Sequence, residues 1–310
     1  MSEKRLRRDG NCLSLILITL ALLMSGCSIK RMAINSLGNA LAEGTSVYAR
    51  DDDPELIRDA VPFALKTVEG LLEQSPRHRG LLLSAASGFT QYAYAFLQCE
   101  ADYIEDQDLA RATEMRRRAR KLYGRAMEYG LRGLEVTHRG FRTALRSDAP
   151  RALAVMKRTD VPFLYWTAAA WGAAISLAKE DAELTADLSL TEALMHRALE
   201  LDERFGAGAV HDFFIAYEGG RPESAGGSVQ VAREHLTRAQ ELSAHKRAAP
   251  LVSYAETVLV GIQDRVEFTR VLEDALAVDP DKDLDQRMAN LVAQKRARWL
   301  LSCTDSLFIE

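Results

Sequence analysis

Apolar residues recur at helical spacing along most of the chain. Leu56, Ala60, Ala64, Val68 and Leu71 fall at steps of three or four, which puts them on one face of a helix. Phe268, Val271, Leu272, Ala275 and Leu276 repeat the pattern. So do Val229, Ala232, Leu236 and Ala239, and again Met288, Leu291, Val292 and Trp299. No segment alternates apolar and polar positions over a useful strand length. The breaks are sharp: Asp51–Pro54, Ser75–Pro76, Asp148–Pro150, Asp160–Pro162, Gly219–Gly227 and Asp279–Pro280. Asp or Ser before Pro is a start signal. Its side-chain oxygen accepts from the first free backbone N–H groups, and Pro has no N–H to leave unpaired. The pattern predicts an all-α chain.

Three helices close alike: Glu192–Asp202, Ala232–Ser243 and Phe268–Pro280. Each is amphipathic, with a small Ala near its end and a Leu or Val followed by Asp or Ser. This resembles the second helix of a tetratricopeptide repeat, in which small residues let helices approach closely. The spacing is irregular and the first-helix signature is not clear. The expectation is a superhelical array of degenerate tetratricopeptide-like hairpins with long loops, stacked as a solenoid. The segment Val161–Leu177 differs, being apolar nearly all round. Such a helix is buried on most sides or lines an apolar cavity.

The N-terminus reads as an address. A basic cluster at Lys4–Arg8 precedes the apolar run Leu13–Met24, the pattern of a secretory signal and too short to span a bilayer comfortably. Met24-Ser25-Gly26-Cys27 follows and resembles a bacterial lipobox. The expectation is a signal peptide over 1–26 that is removed, and one helical domain over 27–310 anchored through lipid on Cys27. Several acyl chains would hold it stably, each buried CH₂ contributing about 0.8 kcal/mol. Ser28, not Asp, stands next, so the periplasmic face of the outer membrane is the expected location.

Charge and composition narrow the chemistry. Without the first 26 residues the chain keeps 36 basic and 42 acidic side chains. That excess repels polyphosphate and argues against nucleic acid. Cys99 and Cys303 are left beside Cys27, either paired or free; two lone cysteines on apolar helix faces favour buried thiols. No Cys-x-x-Cys, His-Glu-x-x-His, Gly-x-Ser-x-Gly or Walker loop is present, so no enzyme, cofactor or metal site is expected. The pair Glu192 and His196, four apart, reads as a packed or solvated face.

The best local feature is the aromatic stretch Phe213–Tyr217 running into Glu218-Gly-Gly-Arg221 and a second double glycine, Gly226-Gly227, before the helix that holds Arg233. Glycines supply positive φ in a loop, which is one reading. The other is a ligand or partner contact, with Arg221 and Arg233 receiving a carboxylate near the following helix start. The aromatic residues Tyr165, Trp166, Trp171, Phe213, Phe214 and Tyr217 are candidates for an apolar cavity wall, and equally for core. Glu218 and Arg221 can instead pair with each other and pin the loop.

Taken together, Cys27, Leu164-Tyr-Trp with Ala170-Trp-Gly172, Tyr217-Glu-Gly-Gly-Arg221 with Gly226-Gly-Ser228, Ala232-Arg-Glu-His235 and the C-terminal Ala289–Leu301 resemble the T component of TRAP transporters, a family of periplasmic lipoproteins. The resemblance covers essentially the whole chain after the leader. It implies degenerate helical hairpins with a pore through each protomer, a homotrimer, and docking of the transporter's periplasmic solute-binding subunit. The cargo it implies is a hydrophobic or organic-acid ligand. A structural scaffold lipoprotein for envelope assembly is the competing reading, and a bound small ligand would separate the two.

Overall fold

Asp side chains start helices where the Pro breaks predict them. In the computed structural model, which describes residues 45–178 and 180–309 together with Ser36 and Gly38, Asp53 accepts from the N–H groups of Glu55 and Leu56 at 3.0 Å. Asp148 does the same for Arg151 at 3.1 Å. Cys27 and the leader before it lie outside the described residues. Of the described residues 81% are helical and none is in a strand.

The chain begins with α1 (Thr45–Arg50) and α2 (Pro54–Gln74). Next, α3 (Arg79–Ala93) passes through a π-helical turn, Tyr94–Gln98, into α4 (Cys99–Ile104). The long α5 (Leu109–Thr137) and the short α6 (Phe141–Ser147) and α7 (Ala149–Ala154) lead to the apolar α8 (Val161–Ser176). After α9 (Ala182–Ala186) come α10 (Leu188–Leu201), α11 (Ala209–Gly219) and α12 (Val229–Leu242). Then α13 (Ala249–Tyr254) enters a second π turn, Ala255–Leu259. The chain ends on α14 (Arg265–Ala277), α15 (Arg287–Ser302) and α16 (Thr304–Leu307).

Packing follows chain order: α2 on α3, α3 on α5, α5 on α8, α8 on α10, α11 on α12 and α13, and α14 on α15. This is a repeat-like array of helical hairpins. Its closest approach uses missing side chains. A Cβ on Gly133 of α5 would lie 1.9 Å from the Phe163 ring of α8, and one on Gly130 would lie 2.1 Å from Thr167 Oγ1. With α3 and α5 on one side and α10 on the other, α8 has almost no wet face, which explains its composition.

One core joins α2 through α11 and a second joins α11 through the C-terminus. Helix α11 serves both: Phe214 and Tyr217 face the first and Ile215 the second. Asp160 departs from its expected place as a side-chain cap. It is buried, and its carboxylate accepts instead from Arg79 at 3.1 Å, from the Lys157 N–H at 3.1 Å and from His138 Nε2 at 2.9 Å. A buried carboxylate needs every such partner.

The ends of the array meet. Helix α15 touches α1 and α2. Arg50 Nε reaches Asp285 at 2.7 Å, and Arg287 donates to the Arg50 carbonyl at 3.2 Å. On the neighbouring level Lys295 of α15 reaches Glu100 at 2.5 Å, and Arg296 reaches Asp102 at 2.8 Å. The array therefore closes on itself.

Candidate functional site

The aromatic candidates lie on α8 and α11, which approach where Gly172 lacks a side chain; a Cβ there would sit 3.2 Å from the Phe213 ring. Phe213 stacks on Tyr217 at 5.6 Å and meets Phe214 edge-on at 5.5 Å. Phe214 is core. Trp171, only 2% exposed, is mostly core as well, yet it lines a cavity of about 110 Å³ with Met127, Leu131, Arg142, Leu145 and Arg146. Tyr165 meets Trp166 edge-on at 4.9 Å and Phe205 at 5.1 Å. Tyr165 is half-buried. Desolvation first, then the Asp212 charge, pushes its phenol well up. Asp212 pairs with the buried Arg247.

The Glu218–Ser228 loop is pinned by Arg221. Its Nε donates to the Tyr217 carbonyl at 3.0 Å, and Nη1 and Nη2 donate to the carbonyls of Ala225 at 3.2 Å and Gly226 at 3.3 Å. Nη2 also reaches Glu218 at 3.2 Å, and the guanidinium covers the Tyr217 ring at 3.7 Å. The Tyr217 hydroxyl donates to Glu192 at 2.7 Å. Arg233 points elsewhere, to the Tyr254 hydroxyl at 3.0 Å and Glu267 at 3.1 Å. The expected two-arginine clamp for a carboxylate is therefore not assembled. The physical reason is that carbonyls left over at the end of α11 and in the loop absorb the Arg221 donors, while a phenol and a carboxylate on later helices hold Arg233. Gly227 is required for that pin, since a Cβ there would lie 2.0 Å from the Arg221 carbonyl.

Behind Phe214 sits a histidine group. His211 and His235 meet Nδ1 to Nδ1 at 2.8 Å. One ring must donate and the other accept, so the accepting ring is neutral. Phe214 stacks on His235 at 4.9 Å and meets His196 at a tilt at 4.6 Å. Burial, then the neighbouring imidazoles, pushes His235 down to about 4. Burial lowers His211 too, against the pull of Glu203. Glu203 is itself held down to about 2 by the Arg238 fork at 2.7 Å. No group of His, Cys, Asp or Glu among the described residues could hold a metal ion. Cys99 and Cys303 are both free thiols, and burial raises Cys99 to about 12, which leaves it inert.

The sequence reading missed a second cluster, where the array closes. The second π turn points at Arg296: it supplies Glu256, which accepts from Arg296 Nη2 at 2.5 Å and from Nε at 3.3 Å. Arg296 also covers the Trp299 ring at 4.2 Å. Tyr94, in the first π turn, is 42% exposed, and the charge of Cys99, then burial, pushes its phenol up. The run Tyr92-Ala-Tyr94-Ala-Phe96 was visible in the sequence, but nothing local announced the π turn.

Comparison with known proteins agrees with this architecture. A protein of Treponema pallidum (strain Nichols), described as uncharacterized, is 34% identical over 93% of this chain and 95% of its own. The family model described as TRAP transporter T-component matches residues 50–308, which span nearly every helix above. The chain belongs to the TRAP transporter T-component family, and its role is that of an accessory protein of a TRAP transport system.

Proposed function

We propose that this protein docks the periplasmic solute-binding subunit of a TRAP transporter and offers an apolar passage to its ligand. The observation that carries the reading is the array whose last long helix, α15, returns to α1 and α2, together with the cavity of about 110 Å³ that Trp171 lines. A closed ring of helices has an inside, and a cavity walled partly by an indole suits a largely apolar ligand. The aromatic cluster of Trp166, Trp171, Phe213 and Tyr217 stiffens the wall on one side. The Arg221-pinned loop gives it a firm rim.

Anchoring through lipid on Cys27, an outer-membrane location and a homotrimer belong to the same proposal. Among the described residues no helix is long and apolar enough to cross a membrane, and on this reading the lipid is the attachment. Cys27→Ser releases the protein from the membrane fraction on this reading; a variant that stays bound overturns the anchor. The docking test is sedimentation of the soluble domain with the solute-binding subunit of the same organism. A complex at micromolar concentration is expected. No association at any ratio removes docking from the proposal.

A further inference from the structure

The cavity beside Trp171 lies between three helices. Met127 and Leu131 come from α5, Arg142, Leu145 and Arg146 from α6, and Trp171 from α8. Leu131, Leu145 and Trp171 are buried and Met127 is half-buried, so the floor is hydrocarbon, thioether and indole. The Arg142 and Arg146 side chains, 42% and 57% exposed, form the wet rim. A space of about 110 Å³ is several water volumes, since one water takes about 30 Å³ in the liquid. Ordered water there needs polar partners, and the aliphatic groups of this floor supply none.

The rim offers no free charge. Arg142 forks onto Glu128 with two bonds of 2.8 Å, and Arg146 forks onto Asp187 with two more of 2.8 Å. Glu135 accepts from the Arg142 backbone N–H at 3.0 Å and adds a third carboxylate. An anionic ligand would have to break a fork or lose its hydration without compensation. A cation would meet the two guanidinium heads first. Bonded to Glu128 of α5 and to Asp187 at the start of α10, the two arginines also hold α6 over the floor.

Size and surface chemistry narrow the occupant further. An apolar cavity on the order of 150 Å³ holds benzene. The present one, open at its rim, takes a single ring of about six or seven non-hydrogen atoms on the same scale. An indole and a thioether both favour an aromatic ring over an aliphatic one of equal size. We propose that the cavity between α5, α6 and α8 binds a compact, uncharged aromatic ligand, with its ring on the Trp171 side and any polar substituent at the arginine rim. This deepens the passage reading and rests on it.

The test titrates four probes calorimetrically into the intact protein: phenol, cyclohexanol, benzoate and octanol. Phenol is expected to bind with a Kd of about 1 mM, the scale for so few atoms. Cyclohexanol should bind about three-fold more weakly or worse, the scale of one aromatic pair. Benzoate should bind at least about ten-fold more weakly, because its carboxylate finds no unpaired cation. Leu145→Phe fills the space from its floor and should abolish phenol binding. Overpacking a buried position can prevent folding, so Met127→Phe, at a half-buried position, repeats the test. Phenol binding that is unchanged in a folded, filled variant overturns the site. Cyclohexanol or benzoate binding as tightly as phenol overturns the occupant. Octanol binding without phenol binding overturns the site and leaves the passage standing. Failure of all four probes to bind overturns both.

Discussion

The seam between α5 and α8 and the seam between α4 and α15 are made in opposite ways. The first is dry: Gly130 and Gly133 leave notches that Thr167 and Phe163 fill. The second is ionic: Arg296 bridges Asp102 and Glu256, and Arg116 bridges Asp102 and Glu105 at 2.7 and 2.6 Å. Helices that are neighbours within an array can rely on shape, because chain connectivity already brings them together. Ends that must find each other across more than 190 positions, as Asp102 and Arg296 do, gain register from directional charge-assisted bonds. The dry seam tolerates no added volume; the ionic seam tolerates no missing partner.

Removing one partner of the ionic seam should have the largest effect. Arg296→Ala leaves Glu256 and part of Asp102 uncompensated in a site where Arg296 is nearly fully buried. Loss of one partner from a buried pair costs about 3–5 kcal/mol. Urea unfolding measures it; a loss below about 1 kcal/mol would mean that the ends close by apolar contact instead. Filling the dry seam comes next. Gly133→Ala places a methyl 1.9 Å from Phe163 and should cost about 1–3 kcal/mol, since overpacking forces off-rotamer side chains. A neutral result would show that α5 and α8 can slide apart freely.

The α11–α12 contact is a third kind of seam, polar but uncharged, and pH separates it from the other two. His235 is a base whose value falls from 6.5 to about 4 on folding. Between those limits the unfolded chain binds more protons, so stability rises with pH there and is lost as pH falls from 6.5 toward 4. Glu203 behaves as an acid held down from 4.5 to about 2, so its contribution is lost only in that lower window. His235→Phe, which preserves stacking on Phe214, should flatten the melting profile above pH 4 and leave the lower part in place. An unchanged profile would assign the pH response elsewhere. The smallest effect is expected at Arg221, which is partly exposed and bonds mainly to its own loop. Arg221→Ala should cost about 1 kcal/mol by thermal melting. A cost as large as that at Arg296 would erase the distinction between a local pin and a long-range clasp.

Much of the helix map was legible because caps and periodicity act over a few residues. Asp53 and Asp148 obey rules that a short window contains, whereas the buried face of α2 is Ile57, Leu65, Val68 and Leu72 and leaves the expected Leu56 exposed. The candidate site was legible only in part. The aromatic residues of α8 and α11 do cluster, but most of them serve the core, because α11 faces two cores at once. Arg221 and Arg233 are close in sequence and hold different partners. Sequence proximity says nothing about where a long guanidinium side chain turns.

By itself the sequence determined an all-helical chain, the main helix starts and the small residues that let helices pack. These depend on hydrogen bonds within three or four residues and on the period of the apolar face. Only the tertiary structure decided that the array closes, that Glu256 in a π turn meets Arg296, and that Asp160 is a buried hub and not a side-chain cap of α8. Each of those depends on partners tens to hundreds of residues away. A buried charge takes whichever partner the folded chain delivers to it, and no local pattern encodes that delivery.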